Sequence, residues 1–140
     1  MTEDGPIFSE NAPKAVGAYP HARRVGDLVF VSGIGPRHPE TNEIVGGAIR
    51  DENGMTLDYD VKLQTRQVIE NIKSILEEAG LSLDNVVDCH CFLVDMGRDF
   101  AGYNEIYCEY FSEIMATRTT VSVTALPTPI AVEMKVIAKG

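Results

Sequence analysis

Basic residues are scarce in this sequence. Its 140 residues contain 12 Lys and Arg against 21 Asp and Glu, which gives a formal net charge of -9. A protein of this charge repels phosphate backbones, and no basic cluster larger than Arg23-Arg24 offsets the repulsion. Nucleic acid is therefore not an expected partner. An anionic ligand would have to be held by individual arginines against the overall charge.

Long apolar runs and cysteines are also few. No run of about 18 apolar residues suggests a membrane span, and residues 1–10 lack the basic start and apolar core of a secretory signal. The three cysteines, Cys89, Cys91 and Cys108, are an odd number, so we expect reduced thiols and no disulfide framework. These features favour a cytoplasmic protein that does not associate with membranes.

The composition is that of a folded protein, with 44% hydrophobic and 24% charged residues. A chain of this length forms one ordinary domain, which we expect to span residues 1–140. One site, or one site per subunit contact, is the corresponding expectation.

The first half of the chain predicts a hairpin followed by a long loop. Residues 22–25 and 28–32 are apolar runs on either side of Gly26-Asp27, a two-residue turn typical of a β-hairpin. Residues 33–57 are rich in Gly, Pro, Asn and Glu and predict a loop that could hold a small hairpin of its own. Loops of this length are usually functional or mobile.

The second half predicts two helices and three strands. Apolar residues recur at helical spacing from Val61 to Ala79, after a capping Asp58 or Asp60 and before Gly80. Strands are predicted at 86–94, 118–125 and 131–138, with a second helix at 100–114. The order is ββαβαββ, and the helix crossovers imply a mixed β-sheet covered on one face by two helices.

Arg118 begins a strand whose two faces differ. Alternation places Arg118 and Thr120 on a polar face and Val121 and Val123 on the other, which we assign to the core. The arginine is either a surface residue or a bidentate clamp for a carboxylate. The pattern alone does not choose between them.

Glu133 is a carboxylate within an otherwise apolar strand. Val132, Met134 and Val136 share one face, while Glu133 and Lys135 share the other. Burying an unpaired carboxylate is costly. Glu133 therefore either pairs with Lys135 or an arginine, or lies in a cleft where its proton affinity serves acid/base chemistry.

The triplet Cys89-His90-Cys91 suggests a metal site, but strand alternation argues against one. The two cysteines face one way and His90 the other, so the three side chains cannot ligate one ion without a bend. Buried core cysteines are the favoured interpretation, and no metal is expected.

Four segments in order resemble the signatures of the Rid (YjgF) family and span nearly the whole chain. They are residues 11–19, 31–33, 103–107 with 110–111, and 118–121 with 126–127 and 132–133. Members of this family are small oligomeric enzymes that hydrolyse carboxylate-bearing enamines or imines and release ammonia. No segment is specific by itself, but the combination is.

The resemblance implies an α+β fold of the chorismate-mutase-like (Bacillus) type and a homotrimer with ligand clefts between neighbouring subunits. It leaves open whether trimers pair into hexamers. Arg118 matches the arginine that grips the substrate carboxylate, and Glu133 matches the glutamate that positions or activates water. Other matching positions line the pocket: Tyr19, Ser32, Gly33, Asn104 and Thr120. No cofactor is implied.

The spacing of Arg118 and Glu133 supports a shared cleft. If the last two strands run antiparallel about the Pro-rich turn, Glu133 lies level with roughly Val123, about five residues and 16 Å from Arg118 along the strand. A single small substrate would not bridge that offset. We therefore expect Arg118 of one subunit to meet Glu133 of another.

Residues 12–37 are similar to the 2-aminomuconate deaminases, which convert 2-aminomuconate to 4-oxalocrotonate and ammonia in bacterial aromatic catabolism. The loop at 37–57 is also longer than in typical imine deaminases of the family. A dicarboxylate enamine needs a second cation, and His21, Arg23, Arg24 and Arg37 are available. Arg37 is our choice, against the alternative of an exposed loop arginine.

Two other functions are compatible with the resemblance. One is a broad deaminase of 2-iminobutyrate and 2-iminopropanoate that limits metabolite damage, and the other is a non-catalytic oligomer that binds small carboxylates. The presence of both Arg118 and Glu133 favours an enzyme, since binding alone would not require the glutamate. Ribonuclease activity conflicts with the acidic charge and the lack of a suitably placed histidine pair.

Overall fold

A computed structural model describes residues 3–140 and contains six strands and two α-helices. In chain order they are β1 (Gly5–Ile7), β2 (Ala22–Val25), β3 (Leu28–Val31), α1 (Val61–Glu78), β4 (Val86–Leu93), α2 (Met96–Phe111), β5 (Thr117–Ser122) and β6 (Val132–Lys139), with a short 3-10 turn at Leu83–Asn85.

The predicted hairpin is confirmed, with one additional strand before it. β2 and β3 pair antiparallel through a turn at which Gly26 has a φ of 61°, a value that favours glycine. β1 pairs antiparallel with β2. We predicted a polar lead-in there, because three residues that include a glycine and a proline carry too little strand pattern to detect.

The first helix follows its sequence signals, whereas the second begins earlier than predicted. The Asp60 side chain accepts a hydrogen bond from the Leu63 amide and caps α1. Asp95 caps α2 in the same way, so that helix starts at Met96 and not at residue 100. Gly97, a weak helix former, obscured this start in the sequence.

The six strands form one mixed sheet in the order β1-β2-β3-β6-β4-β5. β6 pairs antiparallel with β3 and β4, while β5 lies at the edge and pairs parallel with β4. The last two strands therefore run in opposite directions, as predicted, but β4 separates them. This changes the level at which Glu133 lies.

Both helices cover the same face of the sheet, as predicted. The inward face of β6 is fully buried at Val132, Met134, Val136 and Ala138. These residues form one core cluster with side chains of α1 and α2, among them Ile69, Ile72, Tyr103 and Ile106. Neither helix covers the opposite face, which carries the other residues of each strand.

Residues 33–57 form the predicted loop, with isolated bridges at Arg37–Ile44 and Arg50–Thr56. One buried side chain fastens this loop to the segment before β6. Gln64 of α1 is 0% exposed; its Nε2 donates to the Gly47 carbonyl and its Oε1 accepts from the Ala131 amide, each at 2.8 Å. Ala131 lies two residues before Glu133.

Replacing Gln64 with leucine should destabilise the fold by about 2 to 4 kcal/mol, because the partly buried Gly47 carbonyl and the buried Ala131 amide would both lose their partner. Urea denaturation at fixed protein concentration measures this loss.

The matched control is Lys73→Leu on the same helix, since Lys73 is exposed. Equal destabilisation by the two substitutions would contradict the assigned role of Gln64.

Candidate functional site

Glu133 lies on the face of the sheet that the helices leave uncovered. Its neighbours Val132 and Met134 are fully buried in the core, so strand alternation directs Glu133 the opposite way. The carboxylate is half-buried, and no cation lies within salt-bridge distance of it among residues 3–140. Desolvation by this burial raises the pKa of Glu133 above its usual value of 4.5.

Lys135 does not neutralise this carboxylate. Its Nζ donates to the Val31 carbonyl at 3.2 Å. The sequence left two alternatives open for Glu133. An ion pair with Lys135 or an arginine is absent from residues 3–140, whereas Glu133 does lie at a cleft.

Gly33 provides the space that the Glu133 carboxylate occupies. A Cβ atom at position 33 would lie 2.6 Å from Oε2 of Glu133, so any other residue there would force the carboxylate to move. The carboxylate borders an open cleft of about 290 Å³. The residues that line the cleft are Val16, Tyr19, Gly33, Gly35, Arg37, Pro127, Thr128, Ile130 and Glu133. We call it the Glu133 cleft.

Of the candidate cations His21, Arg23, Arg24 and Arg37, Arg37 alone lines the Glu133 cleft. Its Nη2 donates to the Lys14 carbonyl at 2.5 Å, and its Nη1 donates to the Asn42 side chain. Arg24 is buried and donates to the Ala79 carbonyl, while Arg23 is an exposed residue of β2. The guanidinium of Arg37 has five N–H donors, so some remain for a ligand.

His21 is used in holding the chain ahead of Tyr19. Its Nδ1 accepts from the Ser9 amide at 3.0 Å, and its Nε2 donates to the Pro13 carbonyl at 2.6 Å. Both ring nitrogens are thus engaged with backbone. His21 borders the cavity beside the Glu133 cleft but has no free nitrogen to offer there.

Tyr19 and Ser32 occupy different positions relative to the Glu133 cleft. Tyr19 is 41% exposed and lines the cleft. Ser32 does not line it; its hydroxyl donates to the Pro20 carbonyl at 2.7 Å and its amide donates to the His21 carbonyl. Ser32 therefore fixes the segment that carries Tyr19.

Arg118 lies on the helix-covered side of the sheet, against α2. Its Nη1 donates to Oδ1 of Asn104 at 2.7 Å, and its guanidinium carbon lies 4.6 Å from the centre of the Tyr107 ring. The rings of Phe100 and Tyr103 are within 6 Å as well. Within residues 3–140, no carboxylate lies within salt-bridge distance of this arginine.

Thr120 completes this second cluster without supplying a nucleophile. Its hydroxyl shares a 2.8 Å hydrogen bond with the Tyr103 hydroxyl.

Burial raises the pKa of the Cys91 thiol, next to Thr120, to about 11 and that of Cys89 to about 12, so both are protonated at neutral pH. His90 is exposed on the opposite face, as predicted.

The structure therefore separates the predicted site residues into two clusters on opposite faces of the sheet. Glu133 is level with Phe92 of β4 and through it with Val121, not with Val123 as predicted. The offset from Arg118 is three residues, or about 10 Å along the strand, plus about 10 Å across two strand spacings. The sheet itself lies between the two side chains.

The assignment of Val121 to the core was wrong. Val121 is 41% exposed, and the polar residues of β5, Arg118 and Thr120, face the helix layer. Alternation defines which residues share a face but not which face the helices cover. For the same reason, sequence reasoning did not find the aromatic ring cluster around Arg118, although its members recur at helical spacing in the printed sequence.

Residues 3–140 contain neither a cluster of metal-ligating side chains nor a helix able to cross a membrane. Over this range, no group of three or more His, Cys, Asp or Glu side chains is arranged to hold a metal ion. No helix there has both the length and the hydropathy needed to cross a bilayer.

Comparison with known proteins identifies the family. The family model described as Endoribonuclease L-PSP matches residues 9–139. A RutC family protein of Pyrococcus abyssi is 48% identical over 132 residues, which cover 94% of this chain and 94% of the relative.

Solved structures agree over the same extent. RidA from an Antarctic Psychrobacter has a TM-score of 0.82 at 39% identity and covers 96% of this chain and 98% of its own. Escherichia coli TdcF with bound serine has a TM-score of 0.81 at 35% identity, with coverage of 96% and 98%. The chorismate-mutase-like α+β fold expected from the sequence is thereby confirmed, and the chain belongs to the Rid (YjgF, L-PSP) family.

Proposed function

We propose that this protein is a hydrolytic deaminase of small enamines and imines that carry a carboxylate. The observation that carries the proposal is Glu133, a half-buried carboxylate without a cation partner at the edge of a cleft. Such a group is suited to moving protons, and a purely binding site would gain nothing from an anion facing an anionic ligand.

The chemistry requires only water and proton transfers. An enamine is protonated at carbon to give the imine, water adds to the imine carbon, and the resulting carbinolamine loses ammonia to leave a carbonyl. Glu133 takes a proton from the attacking water and returns one to the leaving nitrogen. Arg118 holds the substrate carboxylate through a charged, bidentate hydrogen bond.

The two groups belong to different subunits in this proposal. Because Arg118 and Glu133 lie on opposite faces of one sheet, a small substrate contacts both only at a subunit boundary. We place the site between neighbours of a homotrimer, with Arg118, Asn104 and Thr120 from one chain and Tyr19, Gly33 and Glu133 from the next.

Small 2-imino acids are the candidate substrates that the comparison with relatives supports best. TdcF was solved with serine, a small amino acid whose carboxylate is of the kind that Arg118 would hold. The Glu133 cleft is also small, at about 290 Å³. 2-Iminobutyrate and 2-iminopropanoate fit this description.

2-Aminomuconate is the second candidate substrate, and Arg37 favours it. This arginine lines the Glu133 cleft and would supply the cation for a second carboxylate. This second proposal rests on Arg37 and the long loop.

Ribonuclease activity, which the name of the family model suggests, has no support in the chain itself. The net charge of -9 opposes RNA binding. His21 has both ring nitrogens bonded to backbone, and His38 and His90 lie in other parts of the fold.

Mixing two inactive variants should restore activity if the site is shared. Arg118→Gln and Glu133→Gln are each expected to lose most activity, but when the chains are co-refolded in equal amounts, about one quarter of the boundaries join an intact arginine to an intact glutamate. Ammonia release from freshly generated 2-iminobutyrate measures the recovery.

The control is the double variant Arg118→Gln/Glu133→Gln co-refolded with an equal amount of wild type. A shared site leaves about one quarter of the sites intact, whereas a site within one chain leaves about one half. A result of one half, with no recovery in the first mixture, would refute the shared site.

The pH dependence of the reaction should report the raised pKa of Glu133. The ionised carboxylate is the form that accepts a proton from water, so kcat/KM should fall as the pH drops through that pKa, which lies above 4.5. The profile is measured from about pH 8 to about pH 4, with the rate of Glu133→Gln subtracted at each pH. A profile that stays flat down to pH 4.5 would contradict the assignment.

Arg37→Gln should separate the two candidate substrates. If Arg37 holds a second carboxylate, kcat/KM for 2-aminomuconate should fall about tenfold to a hundredfold while that for 2-iminobutyrate stays within a few fold. Arg23→Gln, an exposed arginine outside the cleft, is the matched control. An equal loss with both substrates would show that Arg37 only holds Lys14 and Asn42 in place.

A further inference from the structure

A separate cavity lies between the end of the long loop, the start of α2 and the segment after β5. Its volume is about 790 Å³ with the space open to solvent included, and about 360 Å³ of it can hold a ligand, which is within the range of small-molecule sites. The residues that line it are Ile49, Arg50, Gly54, Thr56, Tyr59, Val94, Asp95, Arg98, Thr124 and Ala125. None of them lines the Glu133 cleft or belongs to the Arg118 cluster.

Arg98 presents a guanidinium that is held in a fixed position at this cavity. The guanidinium carbon lies 3.8 Å from the centre of the Tyr59 ring, and Nη2 donates to the Tyr59 carbonyl at 3.2 Å. Its Nε is 3.6 Å from Oδ1 of Asp99. A guanidinium fixed in this way loses little conformational entropy on binding a ligand.

Asp99 only partly neutralises Arg98. The Asp99 carboxylate is almost fully buried and accepts a 2.5 Å hydrogen bond from the Tyr59 hydroxyl. Burial also raises the pKa of Asp99 above its usual value. This carboxylate therefore serves mainly to hold Tyr59, the ring on which Arg98 lies.

Arg50 is the second cation at the cavity, and it has no carboxylate within salt-bridge distance among residues 3–140. Its side-chain hydrogen bond, to the Leu126 carbonyl, is long at 3.5 Å. The charge of Arg50 is therefore not neutralised by any carboxylate of the described residues.

Asp95 is the one acidic side chain that lines the cavity, and its Oδ1 is already used. It accepts a hydrogen bond from the Arg98 amide at 3.1 Å and caps α2. The cavity thus has two cations against one carboxylate that is engaged with the helix.

We infer that this cavity is a second ligand site, which binds a small oxyanion, a carboxylate or a phosphate, between Arg50 and Arg98. The planar guanidinium group matches two oxygens of either anion. The hydroxyl groups of Thr56 and Thr124, which also line the cavity, are suitable additional donors. This site does not depend on the proposed deaminase activity.

Titration calorimetry of the whole protein with sodium phosphate and, separately, with sodium succinate tests the inference at constant ionic strength. We expect saturable binding of at least one of them, weakened about tenfold or more by Arg50→Gln, because a charged hydrogen bond would be lost. The stronger of the two identifies the class of ligand. Arg50→Gln is the clean variant, since Arg98 also supports Tyr59.

The controls assign the binding to this cavity. Arg23→Gln, which changes an exposed arginine outside both sites, should bind as wild type does, and the thermal midpoint of Arg50→Gln without anion should match that of wild type. To remove any binding at Arg118, the titrations are repeated in the Arg118→Gln background, with and without Arg50→Gln. Absence of saturable binding in that background would overturn the inference, and so would binding there that survives Arg50→Gln unchanged.

Discussion

The alternation of side chains along the central strand β6 determines how the rest of this protein can work. Four consecutive inward positions, from Val132 to Ala138, are fully buried beneath the two helices. Glu133 and Lys135 consequently point to the opposite face. Since β5 turns Arg118 toward the helices, Glu133 lies on one side of the sheet and Arg118 on the other, and neither has an oppositely charged partner among residues 3–140. The sheet keeps these two side chains of one chain apart.

The Glu133 cleft depends on small features at its border. Gly33 leaves room for the carboxylate in its observed position, because a Cβ there would displace it. The other wall is the segment from 127 to 130, which reaches β6 through Ala131. Buried Gln64 holds Ala131 and the long loop at once. The position of Glu133 is thus set by backbone contacts and by one side-chain amide, and not by an ion pair.

Much of the fold could be predicted from the sequence, because its helices and strands show regular periodicity. Spacing along the chain predicted which residues of β6 and of α1 face the core, and that His90 faces away from Cys89 and Cys91. β1 and the start of α2 did not, since Gly5, Pro6 and Gly97 weaken the local signals. Which face of β5 the helices cover depends on where the crossover places α2, which is a tertiary property. The rings around Arg118 were missed for the same reason.

The double hydrogen bond of Gln64 has a consequence for variation among related proteins. Gly47 and Ala131 are 84 positions apart in the chain, yet one amide group ties them to the same point on α1. An insertion or deletion in the loop would shift Gly47. Through Gln64 it would also shift Ala131 and the wall of the cleft next to Glu133. A change in loop length can therefore alter the shape of the Glu133 cleft even when no inserted residue lines it.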